Sequence, residues 1–600
     1  MFQTFETAGE RDKGPERLAA VRAAMEKVEI DALLVPRADA HQGEYVADRD
    51  ARLRWLTGFT GSAGFCVVTR DEAGIFVDGR YAVQVKDQVS ACFTPVPFPK
   101  VKAGDWLADR LGQGARVGFD PWLHTRAEID ALRERLGPGI GVLPVGPNPV
   151  NAVWTDQPAP PQGPVRLFPD EIAGKSRSQK IEEICTTLEA AGQHFCVLSL
   201  PDSIAWLLNI RGSDIPRTPV PHAFALIEAA ARDVRLFIDA AKLDGVDLGL
   251  PVFAPESIVQ ALSQVSGPVR VDRDTAPYIF GHALEEGRVE IAWAADPVLL
   301  PKARKTEPEI AATRAAHLRD GAAMCTFLHW LSGAEARVLQ GERVTEIDVV
   351  RALEEFRTAT GTLQDISFET IAGSGPHGAI VHYRVTQDTD RALVPGQPLL
   401  VDSGAQYEDG TTDITRTVAI GEPTEDQITA FTRVLKGLIA VSRARWPEGL
   451  AGRDLDALAR APLWLHGQDY DHGTGHGVGV NLSVHEGPQR LSRTSMVPLE
   501  PGMILSNEPG YYREGAFGIR LENLIVVEPA PTLPGQDDRR MLSFETLTWV
   551  PIDRRLIDTG ALSAEERAWV DTYHEGVATR MAGRLSPEVT EWLGRATAPL

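Results

Sequence analysis

The chain has 600 residues, of which 43% are hydrophobic and 24% charged, and its formal net charge is −22. This length exceeds what one hydrophobic core can organise, so we expect two to four globular domains. The acidic balance argues against a nucleic-acid-binding surface, which requires clustered Lys and Arg.

The start of the chain and its cysteines bear on location. The opening residues, MFQTFETAGERDKGPERL, carry acidic side chains and no apolar segment, and no run of about eighteen apolar residues occurs anywhere. The five cysteines are scattered, odd in number and without a CxxC motif. We therefore expect a cytoplasmic protein with reduced thiols and no membrane span.

Two segments mark domain boundaries. Residues 144–164 are too rich in proline for a helix or a central strand. Residues 296–310 end in Thr306 and Glu309, which have capping-box spacing and predict a long helix after them. These boundaries predict domains at 1–160, 161–305 and 306–600.

The first two predicted domains resemble each other. Each has a helical stretch, an apolar strand, and then a tryptophan followed six residues later by glycine, at Trp55 and Trp206. A further strand follows, IFVDG in the first and LFIDA in the second. This order predicts a duplicated α/β unit, with chance similarity of βα segments as the alternative. Neither copy carries a nucleotide-binding glycine motif.

The third predicted domain carries acidic residues in or beside apolar strands. Asp402 follows PLLV, Asp413 follows a turn with Asp-Gly at its centre, and strands of this kind should pair as antiparallel hairpins between helices. Glu508 follows ILSN, and Glu522 precedes NLIVV. Because buried carboxylates are rare unless they are paired or bind a metal, four such acids indicate a cation.

Histidines are concentrated near these acids. The stretch DHGTGHGVGVNLSVHEGP, residues 471–488, contains His472, His476 and His485 among five glycines. Glycine weakens any helix there and the glutamate of HExxH is absent, so we predict a turn entering a strand with one ligating histidine. The alternative is hydrogen-bonded core histidines.

Two Asp, two Glu and one His form an oxygen-rich ligand set that suits Mn²⁺, Co²⁺ or Zn²⁺. Four carboxylates exceed the need of one ion. Two ions about 3.5–4 Å apart, bridged by acids and activating a shared water, would use them all. The residue types therefore predict a dinuclear metal hydrolase.

Several strings of the chain resemble one known family. VDSGAQYEDGTTDITRT, HGTGHGVG, SVHEGP, SNEPGYY and GIRLEN are similar to the catalytic domain of aminopeptidase P, the Xaa-Pro aminopeptidase. The strings RLRWLTGFTGSAGFCVV, IFVDGRYAVQV and WLLNIRGSDIP resemble the amino-terminal half of its long, three-domain form. The resemblance implies two creatinase-like α/β domains followed by an α+β pita-bread catalytic domain.

The resemblance also implies residue roles. The expected metal ligands are Asp402, Asp413, His476, Glu508 and Glu522, holding two divalent ions per subunit, with Mn²⁺ expected and Zn²⁺ or Co²⁺ as alternatives. Glu508 is also the expected general base, and Arg520 a supporting residue. The expected cleft histidines are His382, His472 and His485. His377 and Arg384 depart from a common family form, and neither stands at an expected ligand position.

The implied reaction releases the first residue of a peptide whose second residue is proline, in a homodimeric enzyme. Prolidase, which takes dipeptides, is the nearest alternative, and the duplicated amino-terminal half favours the aminopeptidase. A catalytically inactive pita-bread binding protein is the alternative of another class. Creatinase and methionine aminopeptidase fit less well, because all five ligands are present and the chain is long. The tail after Glu545 predicts an amphipathic helix.

Overall fold

The computed structural model describes residues 1–6 and 9–600. The chain divides into two compact units, one that ends at Lys302 and one that comprises Ala303–Leu600 with the first residues of the chain. Among the described residues, no helix combines the length and apolar character needed to cross a bilayer.

The first unit begins with a six-stranded sheet and its helices. The helices are α1 (Gly14–Lys27), α2 (Arg52–Thr57), α3 (Gln84–Gln88), α4 (Ala103–Ala108) and α5 (Arg126–Leu136). The strands are β1 (Ala32–Pro36), β2 (Phe65–Thr69), β3 (Ala73–Val77), β4 (Thr94–Pro97), β5 (Arg116–Phe119) and β6 (Gly141–Pro144). Residues of β2 and β3 are buried almost throughout, as expected of strands covered on both faces.

A second set of elements completes this unit. The helices are α6 (Asp170–Ala173), α7 (Arg177–Ala190), α8 (Pro201–Leu208), α9 (Ile258–Gln264), α10 (Tyr278–Glu286) and α11 (Leu299–Ala303). The strands are β7 (Arg166–Leu167), β8 (Phe195–Leu198), β9 (Ile210–Arg211), β10 (Phe224–Glu228), β11 (Asp233–Phe237), β12 (Val252–Phe253), β13 (Val269–Val271) and β14 (Ile291–Trp293).

The two sheets have the same topology. Their strand orders are β4-β3-β2-β1-β5-β6 and β12-β11-β10-β8-β13-β14. In each, two antiparallel pairs join the central strands and the other pairs are parallel. Trp55 and Trp206 lie in the corresponding helices α2 and α8. The predicted duplicated α/β unit is confirmed.

The second unit is an α+β domain. Its helices are α12 (Glu307–Leu339), α13 (Glu346–Thr358), α14 (Glu425–Ser442), α15 (Gly452–Trp464), α16 (Ala564–Met581) and α17 (Pro587–Ala596). Its first strands are β15 (Asp365–Ile366), β16 (Ile371–Ser374), β17 (Gln397–Ser403), β18 (Ala405–Tyr407), β19 (Gly410–Thr411), β20 (Ile414–Ile420) and β21 (Trp446–Pro447). The later strands are β22 (Gly475–Gly477), β23 (Glu486–Leu491), β24 (Ile504–Asn507), β25 (Gly510–Arg513), β26 (Phe517–Arg520), β27 (Asn523–Pro529) and β28 (Met541–Thr546).

Every named strand pair in this unit is antiparallel. The strands form a six-stranded sheet, β21-β28-β27-β24-β22-β23, and smaller sheets that include β16-β17-β20. The predicted capping box begins α12: the Thr306 hydroxyl accepts from the Glu309 amide, and the Glu309 carboxylate accepts from the Thr306 amide. The α+β prediction is confirmed.

The carboxyl-terminal helices pack on this unit. Val570, Val577 and Met581 of α16 are buried in one apolar cluster with Phe431 and Leu435 of α14. The tail, for which one amphipathic helix is predicted, folds into two helices, and they form a layer of this unit against α12 and α14.

Candidate metal centre and active site

Strand ends bring the four acids to one place. Asp402 lies in β17, and Asp413 immediately precedes β20, the strand that pairs with β17. Glu508 immediately follows β24, and Glu522 immediately precedes β27, its neighbour in the larger sheet. Three of the acids thus flank strands instead of lying within them, which frees their backbone from strict alternation and lets the side chains converge.

The acids surround His476 in β22. The Nε2 atom of His476 lies 3.5 Å from Oδ2 of Asp413 and 3.4 Å from Oε1 of Glu508. One ligand atom from each of Asp413, His476 and Glu522 lies within 4.8 Å of the other two, a grouping that can hold a metal ion. The structure therefore brings four of the five predicted ligands into direct proximity.

Asp402 joins the group from the adjacent strand. It pairs with Thr415, whose hydroxyl donates to Oε2 of Glu522 at 2.8 Å. Oδ2 of Asp402 accepts from the Arg520 guanidinium at 2.6 Å, and Nε of the same guanidinium donates to the Thr415 hydroxyl at 3.3 Å. Thr415 and Arg520 therefore link Asp402 to Glu522.

The pKa values of Asp413 and Glu522 reflect the burial and crowding of these acids. Burial raises the pKa of Asp413 well above its usual value, and the charges of Asp402 and Glu508 raise it further. Burial also raises the pKa of Glu522, with Asp413 the next contributor. Crowding in a buried site therefore makes these two carboxyl groups harder to ionise than free ones.

Unpaired oxygens show that the residues fit a cation. Oδ1 of Asp402, Oδ1 of Asp413 and Oε1 of Glu522 are buried, and no donor in the described part of the chain reaches them. Buried carboxylate oxygens without donors are strongly unfavourable unless a positive charge compensates them. Nδ1 of His476 contacts the Gly477 carbonyl at 2.9 Å, which places the proton on Nδ1 and leaves Nε2 able to ligate.

A hydrogen-bond chain connects His472 to these acids. Arg520 donates to the Tyr512 hydroxyl at 2.7 Å, and that hydroxyl lies 2.8 Å from Nε2 of His472. Nδ1 of His472 lies 2.7 Å from the Gly473 carbonyl, so Nε2 is the acceptor for Tyr512. Burial raises the pKa of Tyr512 to about 12, so the phenol keeps the proton that it donates.

The two remaining predicted histidines lie at the edges of the same region. The ring of His485 packs edge-on against that of His476, with centroids 4.3 Å apart. His382 is half-buried and follows Val381, whose carbonyl accepts from Arg520 at 3.4 Å. His485 thus packs against a predicted ligand, and His382 follows a residue that contacts Arg520.

The two departures from the family form have defined partners. Nδ1 of His377 lies 2.9 Å from the buried carboxylate of Glu346, which also accepts from the Tyr383 hydroxyl at 2.8 Å. Arg384 forms an ion pair with Glu369. His377 therefore anchors the segment that carries His382.

Tyr512, Thr415 and Ser506 also contact site residues, although nothing in the sequence had predicted a role for them. The Ser506 hydroxyl donates to Oε1 of Glu508 at 3.0 Å and accepts from the His476 amide at 2.9 Å. A signal was present, since each is a polar residue in a strand that begins or ends within two residues of a predicted ligand.

Family models match nearly the whole chain. Residues 311–529 match metallopeptidase family M24, and 540–600 match the C-terminal region of peptidase M24. Residues 17–151 and 156–309 each match the creatinase/prolidase N-terminal domain.

Individual relatives match over almost their full length. Aminopeptidase P2 of Arabidopsis thaliana is 38% identical, with 98% of this chain and 88% of that protein aligned. A probable Xaa-Pro aminopeptidase P of Neosartorya fischeri is also 38% identical, over 98% and 92%. The crystal structure of X-prolyl aminopeptidase from Caenorhabditis elegans, described as a cytosolic enzyme with a di-nuclear active site, superposes with a TM-score of 0.92 at 33% identity, covering 98% of this chain and 100% of that one. The chain therefore belongs to metallopeptidase family M24, as a relative of its aminopeptidases P.

Proposed function

We propose that this protein is a metal-dependent Xaa-Pro aminopeptidase, which hydrolyses the bond between an amino-terminal residue and a proline in second position. The observation that carries the proposal is the convergence of Asp413, His476 and Glu522 with two further acids in a buried site. The alignment with aminopeptidases P over 98% of the chain supports the same reaction.

The site would hold two divalent cations, with Mn²⁺ expected from the oxygen-rich donors and Zn²⁺ or Co²⁺ as alternatives. The ligands would be Asp402, Asp413, His476, Glu508 and Glu522. When bound, such cations polarise a carbonyl and lower the pKa of water. Two cations would also offset the charge of about −4 that four ionised carboxylates carry.

The side chains of Asp402 and Glu508 would also bind the substrate and transfer a proton. Oδ1 of Asp402, which accepts no hydrogen bond from a described residue, would contribute to reading the substrate's free α-amine, restricting release to the first residue. Glu508, oriented by Ser506, would take the proton of the attacking water and return it to the proline nitrogen.

The three histidines would surround the reacting peptide bond. His485 and His382 would stabilise the tetrahedral intermediate by donating to its oxygen. His472, fixed by Tyr512, would position the proline side of the substrate. A tertiary Xaa-Pro amide has no N–H, so strand-like docking of the peptide fails and fixed side chains must hold it instead.

A substrate series separates aminopeptidase from prolidase. We expect Mn²⁺-loaded protein to cleave Ala-Pro-Ala and Ala-Pro-Ala-Ala after the first residue and to leave Ala-Ala-Ala intact, as followed by chromatography of the products. If the dipeptide Ala-Pro were cleaved and the two longer proline peptides were not, the protein would be a prolidase. Absence of both metal and activity would assign a binding protein of the same fold.

Removing a ligand should remove the metal. For Glu522→Ala or Asp402→Ala, we expect loss of bound Mn²⁺ by elemental analysis and a fall in kcat/KM of more than about 100-fold, the upper end for residues that only support ligands. Glu528→Ala, at the far end of β27, is the matched control and should retain metal and activity. Normal turnover in either ligand variant would refute its assignment.

His485→Ala should separate catalysis from metal binding. Loss of one donor to a developing oxyanion lowers kcat by about 10²–10³-fold, and we expect metal content to stay normal. His466→Ala, an exposed histidine at the end of α15, serves as the control. A metal-depleted His485 variant would mean that this histidine is a ligand.

A homodimer is supported by an apolar surface at the end of α15. The exposed fractions there are 84% for Leu465, 65% for Met496 and 43% for Trp464. The Arg493 guanidinium, three residues before Met496, lies 5.5 Å from the Trp464 ring. Sedimentation velocity should give the mass of two chains, and Leu465→Asp should give one. A monomeric wild-type protein would contradict this assembly.

A cytoplasmic location is supported by the five cysteines, all of which are unpaired. Cell fractionation with an antibody against the protein tests it, and recovery from an exported fraction would contradict it.

A further inference from the structure

Arg416 is a buried charged residue in the strand that begins directly after Asp413. It lies in β20, three residues after Asp413, and is 1% exposed. A guanidinium without water must find acceptors for all of its N–H groups or destabilise the fold. The residues that supply those acceptors are therefore structurally coupled to one another through Arg416.

The acceptors come from four parts of the chain. Six oxygen atoms lie within 2.6–3.1 Å of the guanidinium nitrogens: the carbonyls of Thr415, Glu522, Val550 and Pro551, the amide oxygen of Asn523, and the hydroxyl of Tyr573. All six are neutral, so none of these hydrogen bonds uses a carboxylate. Arg416 instead holds the chain at the starts of β20 and β27, the strands that directly follow Asp413 and Glu522.

The shortest of these contacts fixes a predicted ligand. Arg416 donates to the Glu522 carbonyl at 2.6 Å, and the Glu522 amide donates to the Thr415 carbonyl at 3.1 Å. The Glu522 backbone is thus held from both sides, and its carboxylate accepts from the Thr415 hydroxyl. Movement of Arg416 would move the Glu522 side chain relative to Asp413.

Tyr573 of α16 contacts the Arg416 guanidinium through its hydroxyl. Its ring stacks with both Trp549 and Trp569, whose centroids are 5.6 Å and 5.2 Å away. Its hydroxyl accepts from Arg416 at 2.9 Å and lies 2.9 Å from the Val550 carbonyl, which also accepts from Arg416. The Tyr573 ring is therefore rigid, and its hydroxyl has a defined position.

The next residue of α16 holds the same segment. Nε2 of His574 accepts from the Ile552 amide at 3.1 Å. Burial and, after it, the charge of Arg416 lower the pKa of His574 to about 4, so the ring stays neutral and able to accept. Residues 550–552 are thus fastened to α16 at two points.

We propose that Arg416 is a positioning residue for the metal ligands and that Tyr573 holds it in place, so the carboxyl-terminal helices form part of the support of the metal centre. This inference rests on the proposed binding of divalent cations. We call Arg416 and its six acceptors the clamp, because together they fix the backbone of Glu522. The tail then has a specific role, since it supplies three of those acceptors, on Val550, Pro551 and Tyr573.

Tyr573→Phe tests the clamp with minimal disturbance, because it removes one hydroxyl and keeps the stacked ring. We expect calorimetric titration of chelator-stripped protein with Mn²⁺ to show about tenfold weaker binding, the lower end for residues that support ligands. Trp569→Phe is the matched control: it alters packing on the same ring, supplies none of the six acceptors of Arg416, and should bind Mn²⁺ as the wild type does.

The outcomes are distinct. Wild-type affinity in Tyr573→Phe, or equal weakening in Trp569→Phe, would overturn the clamp while leaving the proposed function intact. A wild-type protein that binds no Mn²⁺ would instead overturn the proposed function.

A second measurement uses the wild-type protein and does not depend on a folded variant. Loading with Mn²⁺ should slow hydrogen exchange of the Val550 and Ile552 amides, which bond to Tyr573 and His574, more than it slows exchange in α17. Equal protection of both segments would contradict the coupling.

Discussion

Repulsion among four carboxylates governs the architecture of the catalytic unit. Asp402, Asp413, Glu508 and Glu522 approach one another where water is largely excluded, and burial together with the charges of Asp402 and Glu508 raises the pKa of both Asp413 and Glu522. Such a group is stable only if protons or cations neutralise it. The fold supplies the geometry for cations, since one oxygen on each of three of these acids has no donor among the described residues.

Around this group, two arginines serve different purposes. Arg520 forms an ion pair with Asp402 and continues through Tyr512 to His472, so it connects a predicted ligand to a predicted substrate-facing histidine. Arg416 bonds to six neutral acceptors and fixes backbone instead of carboxylate. One arginine orients side chains within the site, and the other holds the strands that bear them.

The sequence revealed what is encoded locally. Thr306 and Glu309 predict the start of α12 because a capping box is a short-range pattern, and the Trp–Gly spacing reveals the repeat because both copies keep the same elements in order. Asp402 was identifiable because an acid after four apolar residues has no simple role in a buried strand. The motifs then supplied the remaining ligands by resemblance to aminopeptidase P.

Long-range contacts could not be anticipated in the same way. Arg416 stands in the quoted string DITRT, yet its partner Tyr573 lies 157 residues away in a tail with no distinctive motif. Tyr512 likewise acquires its role only when β25 and β26 pair and bring it beside Arg520. Nothing in local spacing distinguishes such residues from other buried polar side chains.

The central claim is that five dispersed side chains enclose a pair of cations. Anomalous diffraction at the manganese edge, from crystals of the Mn²⁺-loaded protein, tests it most directly. We expect two peaks about 3.5–4 Å apart, both flanked by Asp413 and Glu522. A single peak elsewhere, or none between these carboxylates, would contradict it.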